Sequence, residues 1–301
     1  MKTFRLTKGV AIAAVLAAAC LWGSTGLFIR HLNTMGVTSL QIAYLRAIAT
    51  AVCMLLLILF TDRSLFRIRP RDLWVFAGNG ILSLLFFNFC YFRTIEVSSM
   101  GIAATLLYTS PAFVALMSAW LFKEKFTGRT AIAMVLAFAG AVLVSGVVTG
   151  GQLLTPAGLL LGLASGFFYA LYSIFTRFAL VKGYHSVTIT FYTFLFTSLG
   201  GAVIADHGEI AVSVEQHGMS VLWFICLYAL VTTVLPYTFY NTGLQKVENS
   251  YASVISSIEL VCAAVFGLIA FGEVPDVYAI LGIILVLCAV AVLNLRRKKH
   301  A

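Results

Sequence analysis

The sequence predicts an all-α membrane protein: ten transmembrane helices in two inverted five-helix repeats. Three observations carry this. The 301-residue chain is 61% hydrophobic and only 10% charged, with a mean hydropathy of +1.01, whereas a water-soluble domain carries about 25% charged residues. Ten apolar runs follow one another with short connections, each near the 20 residues that cross a hydrocarbon core as a helix. The chain also matches itself at an offset of 147–149 residues.

The runs span roughly 9–30, 38–60, 72–93, 98–122, 129–148, 156–179, 186–205, 219–243, 250–272 and 276–294. In lipid every backbone polar group needs a partner within the segment, so these runs are helices and not open strands. The first begins like a secretory signal, and Cys20 suggests a lipoprotein site. That site calls for Leu three residues before the Cys, where Ala17 stands, and the apolar stretch continues through LWGSTGLFI. It reads as an uncleaved first helix. The second contains Arg46, the only basic residue deep in a span. The third carries FFNFCYF with Asn88, and the fourth holds Tyr108 and Pro111 and ends in LFKE at Glu124. The fifth and tenth present small residues at helical spacing (Ala133, Ala137, Ala141; Gly282, Ala289), fit for close helix contact within the chain or between two copies in a homodimer. The sixth carries GFFYALYSIF with Tyr169, the eighth LPYTFYN with Pro236 and Tyr237, and the ninth SSIELVCAAVFGLIAFGE with Glu259 and, at its end, Glu273.

Basic residues give the orientation. With the N-terminus in the cytoplasm, seventeen Lys and Arg fall on that side, against Arg30 and Arg93 outside; Arg46 completes the twenty. The positive-inside rule then puts both termini in the cytoplasm. The loop 206–218 holds three acids and no Lys or Arg, as an outer loop does. The net charge of +9 is thus a topology signal and not a nucleic-acid surface. The six cysteines lie inside apolar runs without a CxxC or a nearby His and read as packing residues. No metal or cofactor is called for.

The self-match lays AACLWGSTGLFIRH over ASGFFYALYSIFTR, Trp22 on Tyr169 and Arg30 on Arg177. It also puts Asn88 on Tyr237, Tyr91 on Tyr240 and Glu124 on Glu273. The first repeat covers 9–148 and the second 156–294. Five spans per copy invert the second in the membrane, an architecture of carriers that alternate access to a site between their halves. This order of features resembles the EamA branch of the drug/metabolite transporter superfamily: LWGSTGLFIR in the first helix, and LFKE and AFGE ending the fourth and ninth. The resemblance implies a bacterial plasma-membrane carrier for small metabolites, often an amino-acid exporter, with a cavity lined mainly by helices 1, 3, 4, 6, 8 and 9. Many members carry Glu-Pro in the second copy. Here Glu259 is followed by Leu260, and the proline stands in the first copy after Ser110, which leaves the bend of the ninth helix open.

A carboxylate inside a membrane costs about 2.5–3.5 kcal/mol on insertion scales and usually faces a cavity or a partner. Glu259 shares its helix face with Ala252, Ser256 and Ala263, a small, partly polar face. It reads either as a proton or substrate-ammonium site, or as a carboxylate satisfied by nearby hydroxyls or an arginine. Were helices 2 and 9 in contact, Arg46 and Glu259 would form a buried pair; otherwise Arg46 anchors the structure. Trp22, Asn88, Tyr108, Tyr169 and Tyr237 fall near mid-span on five different helices and are candidates to line an aromatic, weakly polar cavity, as is Ser256 beside Glu259. Pro111 and Pro236 bend their helices and are candidate gating positions. Glu124 and Glu273 read as solvated helix ends, with a gate or hairpin contact as the alternative. Carrier, membrane enzyme and channel are the competing functions. All five His residues lie at span ends, in loops or in the tail, no Asp is intramembrane, and no ring of charges appears, which leaves the carrier as the leading reading. Its partners are the bilayer and a small-molecule substrate.

Overall fold

The computed structural model describes residues 7–148, 155–204 and 218–294. Lys2, Arg5, the acidic loop, His207, His217 and the basic tail from Arg296 lie outside that range. Every regular element among the described residues is helical. Eight are long and apolar enough to cross a membrane: α1 (Lys8–Thr34), α2 (Ser39–Thr61), α3 (Pro70–Val97), α4 (Met100–Phe122), α6 (Pro156–Val181), α7 (Ser186–Ile204), α8 (Met219–Gly243) and α9 (Asn249–Phe271). Two more apolar helices are shorter, α5 (Gly128–Val144) and α10 (Val277–Asn294). The 129–148 run stops early because Gly146 turns the backbone into the left-handed region at φ 72°, a turn that glycine makes without steric cost.

Hydroxyls start many of these helices. Thr7, Thr38, Ser99, Thr127 and Thr155 each accept from an amide of the first turn, pairing donors that lipid would leave stranded. The ends of α4 and α9 match. Lys123 (φ 55°) and Gly272 (φ 68°) are left-handed, and the next amide, of Glu124 or Glu273, closes on the carbonyl six residues back, Ser118 or Gly267. The LFKE and AFGE motifs are therefore left-handed helix caps.

Pairings between the two halves recur with helix numbers shifted by five. α3 lies along α6 as α8 lies along α1; α4 packs on α6 as α9 packs on α1; α3 touches α7 as α8 touches α2. Three contacts map onto themselves: α2 with α7, α4 with α9 and α5 with α10. The small-residue stripes meet within the chain. A Cβ on Gly140 would stand 2.7 Å from the Gly282 carbonyl, and one on Gly282 2.6 Å from the Gly140 carbonyl, while Ala133, Ala137 and Ala289 are buried beside them. Large apolar side chains such as Phe60, Trp120, Val135 and Val203 stay exposed, as lipid-facing residues do.

Candidate functional site

Five helices are irregular near mid-span. α1 breaks at Ser24, whose hydroxyl bonds the Leu21 carbonyl at 2.7 Å, a local bond that competes with the helix ladder. α4 breaks at Tyr108–Thr109, just ahead of Pro111, which has no N–H to return to Leu107, and the Thr109 hydroxyl takes the Leu106 carbonyl at 2.6 Å. α9 breaks at Ser257 with no proline present. α3 and α8 widen into π-helical turns over Gly78–Leu85 and Leu230–Val234, the latter just before Pro236. In repeat register the α4 and α9 breaks correspond, and so do the two wide stretches. The break in α1 has no counterpart in α6, which runs 26 residues uninterrupted.

These irregularities surround a cavity of about 190 Å³. Trp22, Thr25 and Ile29 of α1 line one wall; Phe87, Asn88 and Tyr91 of α3 and Tyr169 of α6 line another. Tyr108 and Ser110 come from the α4 break, Tyr228 and Tyr237 from α8, Glu259 from α9, and Ser39, Ala43 and Arg46 from α2. Of the predicted residues, Trp22, Asn88, Tyr108, Tyr169, Tyr237, Glu259 and Arg46 meet here. Ser256 lies in a small adjoining void with Trp22, Tyr169 and Tyr237, its hydroxyl bonded to the Ala252 and Ser253 carbonyls. Pro111 and Pro236 line neither space. Helix 2, outside the cavity that the family resemblance implies, supplies a wall of this one. Tyr228 and Tyr91 were not picked out from the sequence. Tyr91 sits one turn beyond Asn88 and Phe87 on the same face, a signal that was there; Tyr228 gives none.

Among the described residues no side chain hydrogen-bonds or ion-pairs with the Glu259 carboxylate. It sits in the first turn of the α9 segment that restarts after Ser257, where unpaired amides and the helix dipole favour an anion by about 0.3–1 kcal/mol. Arg46 does not pair with it. One guanidinium nitrogen reaches the Tyr228 hydroxyl at 3.4 Å, the group lies 5.6 Å from that ring, and Nε is buried without a partner. Tyr237 lines the same cavity as both Arg46 and Glu259. The cavity therefore carries an acid and a base that do not neutralise each other by contact, lined between by phenols. α1 passes close to α9 next to Glu259: a Cβ on Gly23 would lie 2.9 Å from the Glu259 carbonyl. The thiols of Cys20 and Cys262 touch beside it at 3.3 Å.

The cavity climbs along α1 from Trp22 to Ile29 and reaches Ser39 at the start of α2, toward the end of the bundle where Arg30 and Glu273 pair at 2.5 Å. Toward the other end it has a floor of rings. Trp22, Tyr172 and Phe194 each meet Tyr237 edge-on with centroids 5.2, 4.9 and 5.0 Å away. Beneath, Tyr172 donates to Asn241 at 2.7 Å, Asn241 donates to Thr190 at 3.1 Å, and the hydroxyls of Ser173 and Tyr240 hydrogen-bond at 2.8 Å. Deeper still, Asn249 donates to the Ser173 carbonyl. The Glu124 carboxylate accepts from the amides of Asn249 and Ser250 and from the Ser250 hydroxyl at 3.0–3.3 Å, so Glu124 is a cap on α9 and not a solvated end. Among the described residues no cluster of His, Cys, Asp and Glu could hold a metal ion.

A solved crystal structure superposes with a TM-score of 0.76 over 96% of this chain and 98% of its own, at 18% identity, a likeness of fold. An uncharacterized transporter of Archaeoglobus fulgidus is 28% identical over 93% of this chain and 94% of itself. An uncharacterized transporter of Bacillus subtilis is 23% identical over 98% and 92%. An uncharacterized inner membrane transporter of Salmonella typhimurium is 24% identical over 95% and 96%. The model of the EamA-like transporter family matches twice, over residues 9–146 and 156–295. With nearly all of its length inside those two matches, the chain belongs to the EamA-like transporter family, a branch of the drug/metabolite transporter superfamily.

Proposed function

We propose that the protein is a secondary carrier that exports small amphipathic metabolites, amino acids or related compounds, across the bacterial plasma membrane by alternating access. Ten spans in two inverted halves present the cavity to one side and then the other, with both termini in the cytoplasm. The observation that carries this reading is the unpartnered Glu259 carboxylate opening onto an aromatic cavity that is floored at one end only. A buried acid is tolerated where a cation or a proton completes it, and phenol and indole rings around it suit an ammonium group. Arg46 across the cavity supplies the opposite pole for a carboxylate. The helix pairings that recur with numbers shifted by five support the inverted halves, and the Lys and Arg asymmetry supports the orientation. The carrier reading is preferred over an enzyme because the cavity lining holds one carboxylate and no His or Cys, too little for acid–base or nucleophilic chemistry.

At Glu259 a proton and a substrate ammonium compete for the same oxygens. Proton coupling follows if the site takes one on the way out and the other on the way back. The test is uptake of radiolabelled amino acids, nucleobases and sugars into proteoliposomes under imposed pH gradients. Accumulation of amino acids that follows the gradient, and loss of that dependence in Glu259→Gln, are the expected results. Wild-type uptake that does not change with the imposed gradient leaves a facilitator, and a Glu259→Gln variant that follows the gradient as the wild type does removes Glu259 from the site.

A further inference from the structure

The two ends of the bundle are held by matched residues in unmatched ways. We propose that Glu124 and Glu273 are exchanging latches: each caps a helix of the opposite half when its own end is shut, and pairs with an arginine of that half when its end is open. This rests on the alternating-access reading above.

At the shut end, Glu124 accepts from the amides that begin α9, Asn249 and Ser250, and Arg177 donates to the carbonyls that follow α8, Leu244 at 2.5 Å and Val247 at 3.5 Å. Acid and base both tie one helix to an element of the bundle, and neither touches the other. At the opposite end, their repeat mates touch each other instead. Arg30 donates to both Glu273 oxygens, at 2.5 and 3.3 Å, and lies 4.5 Å from the Phe271 ring, with both side chains more than half exposed. Shifting the shut-end contacts back by 149 residues gives the missing partners. The amides for Glu273 are those of Met100 and Gly101 at the start of α4, where the Ser99 hydroxyl takes the amide of Ile102. The carbonyls for Arg30 are those of Ile95 and Ser98 at the end of α3.

The cost of an unpaired charge drives the exchange. Opening the Glu124 end releases a carboxylate and a guanidinium from opposite halves at the same spot, and their pairing spares each from standing alone at the membrane face. Closing the Glu273 end separates Arg30 from Glu273, and helix-end carbonyls and amides receive them, the partners that each helix dipole favours. At every stage each of the four charges has a partner. The ion pair marks the open end and the double cap marks the shut one.

The test uses two symmetry-related cysteine pairs in the full chain with its six native cysteines replaced. Lys125→Cys with Glu248→Cys reports closure at the Glu124 end, and Val274→Cys with Ser99→Cys reports closure at the Glu273 end. A short bifunctional maleimide is applied to membranes, and the ratio of the two cross-linking rates is read. With the latches intact, the first pair reacts faster. Glu124→Gln shifts the ratio at least tenfold toward the second pair; Ser250→Ala, which removes one of three bonds, shifts it less in the same direction; and adding Glu273→Gln to Glu124→Gln returns the ratio toward its starting value. If both pairs react but Glu124→Gln leaves the ratio unchanged, the latches are overturned and alternating access stands. If the second pair reacts in no background, alternating access falls, and the latches with it.

Discussion

Gly23 is where α1 passes α9, and replacing it with alanine separates steric contact from helix propensity. A Cβ there lies 2.6 Å from Cys262 Cβ, 2.9 Å from the Glu259 carbonyl oxygen and 3.0 Å from the Ala263 amide nitrogen. Two of these atoms are backbone and the third roots a side chain, so none can rotate aside. Ordinary carbon contacts sit near 3.5–4.0 Å, so the helices must part by about 1 Å. Overpacking of this kind costs about 1–3 kcal/mol, while alanine returns about 1 kcal/mol of helix propensity. Gly26, one turn on, is the control, since a Cβ there meets nothing within 4 Å. Propensity cancels between Gly23→Ala and Gly26→Ala, and the difference that remains is the clash, about 5- to 150-fold in the unfolding equilibrium. Denaturation titrations in mixed micelles measure it. Because the displaced backbone belongs to Glu259, Gly23→Ala also lowers uptake, which Gly26→Ala leaves unchanged. If Gly23→Ala proves as stable as Gly26→Ala, the close approach of α1 and α9 is not what holds Glu259 at the cavity, and the reasoning fails.

Tyr172→Phe strands the Asn241 side-chain oxygen Oδ1 and destabilises by about 1–3 kcal/mol; a double-mutant cycle with Asn241→Leu should recover most of that as coupling. Lys123→Gly removes a left-handed non-glycine residue from the end of α4, as Gly272 already does for α9, and should raise stability by about 1 kcal/mol in the same titration. Arg46→Gln removes a hydrogen bond from a charged donor to a substrate carboxylate, about 1.5–3 kcal/mol, so KM for zwitterions rises about 10- to 150-fold while binding of purely cationic analogues persists. Trp22→Ala takes out one of the three rings that line both the cavity and the void around Ser256; it should join the two spaces and admit bulkier substrates in the uptake assay, and an unchanged size preference would contradict the assigned floor.

Membrane character, the apolar helices and the family were legible because composition and spacing are local properties of the chain. The candidate ring positions were legible too, since polar tips at mid-span stand out against apolar neighbours. What could not be read were features set by tertiary partners. Arg46 reaches the cavity because α2 packs on α8, and no pattern within α2 announces that neighbour. Glu124 looks like a solvated helix end until α9, 125 residues later, brings two amides to it. The small-residue stripes of α5 and α10 fit a partner chain as well as each other, and only their crossing at Gly140 and Gly282 shows which contact they make. Breaks were legible where proline writes them, as at Pro111, and silent at Ser24, whose hydroxyl takes the Leu21 carbonyl, and at Ser257, whose hydroxyl is buried and takes no described partner.

That last difference bears on which bends can change. The kink in α4 is written in covalent bonds, because Pro111 has no N–H and Leu107 cannot recover its bond in any conformation. Its repeat counterpart is Leu260, which keeps its N–H and spends it on the Ser257 carbonyl at 3.1 Å, as Ser257 spends its own on Val254 at 3.2 Å. Moving each bond back by one residue would make α9 continuous without leaving a donor unpaired. The protein thus has one elbow fixed at synthesis and one that can be undone, and the acid stands on the one that can be undone.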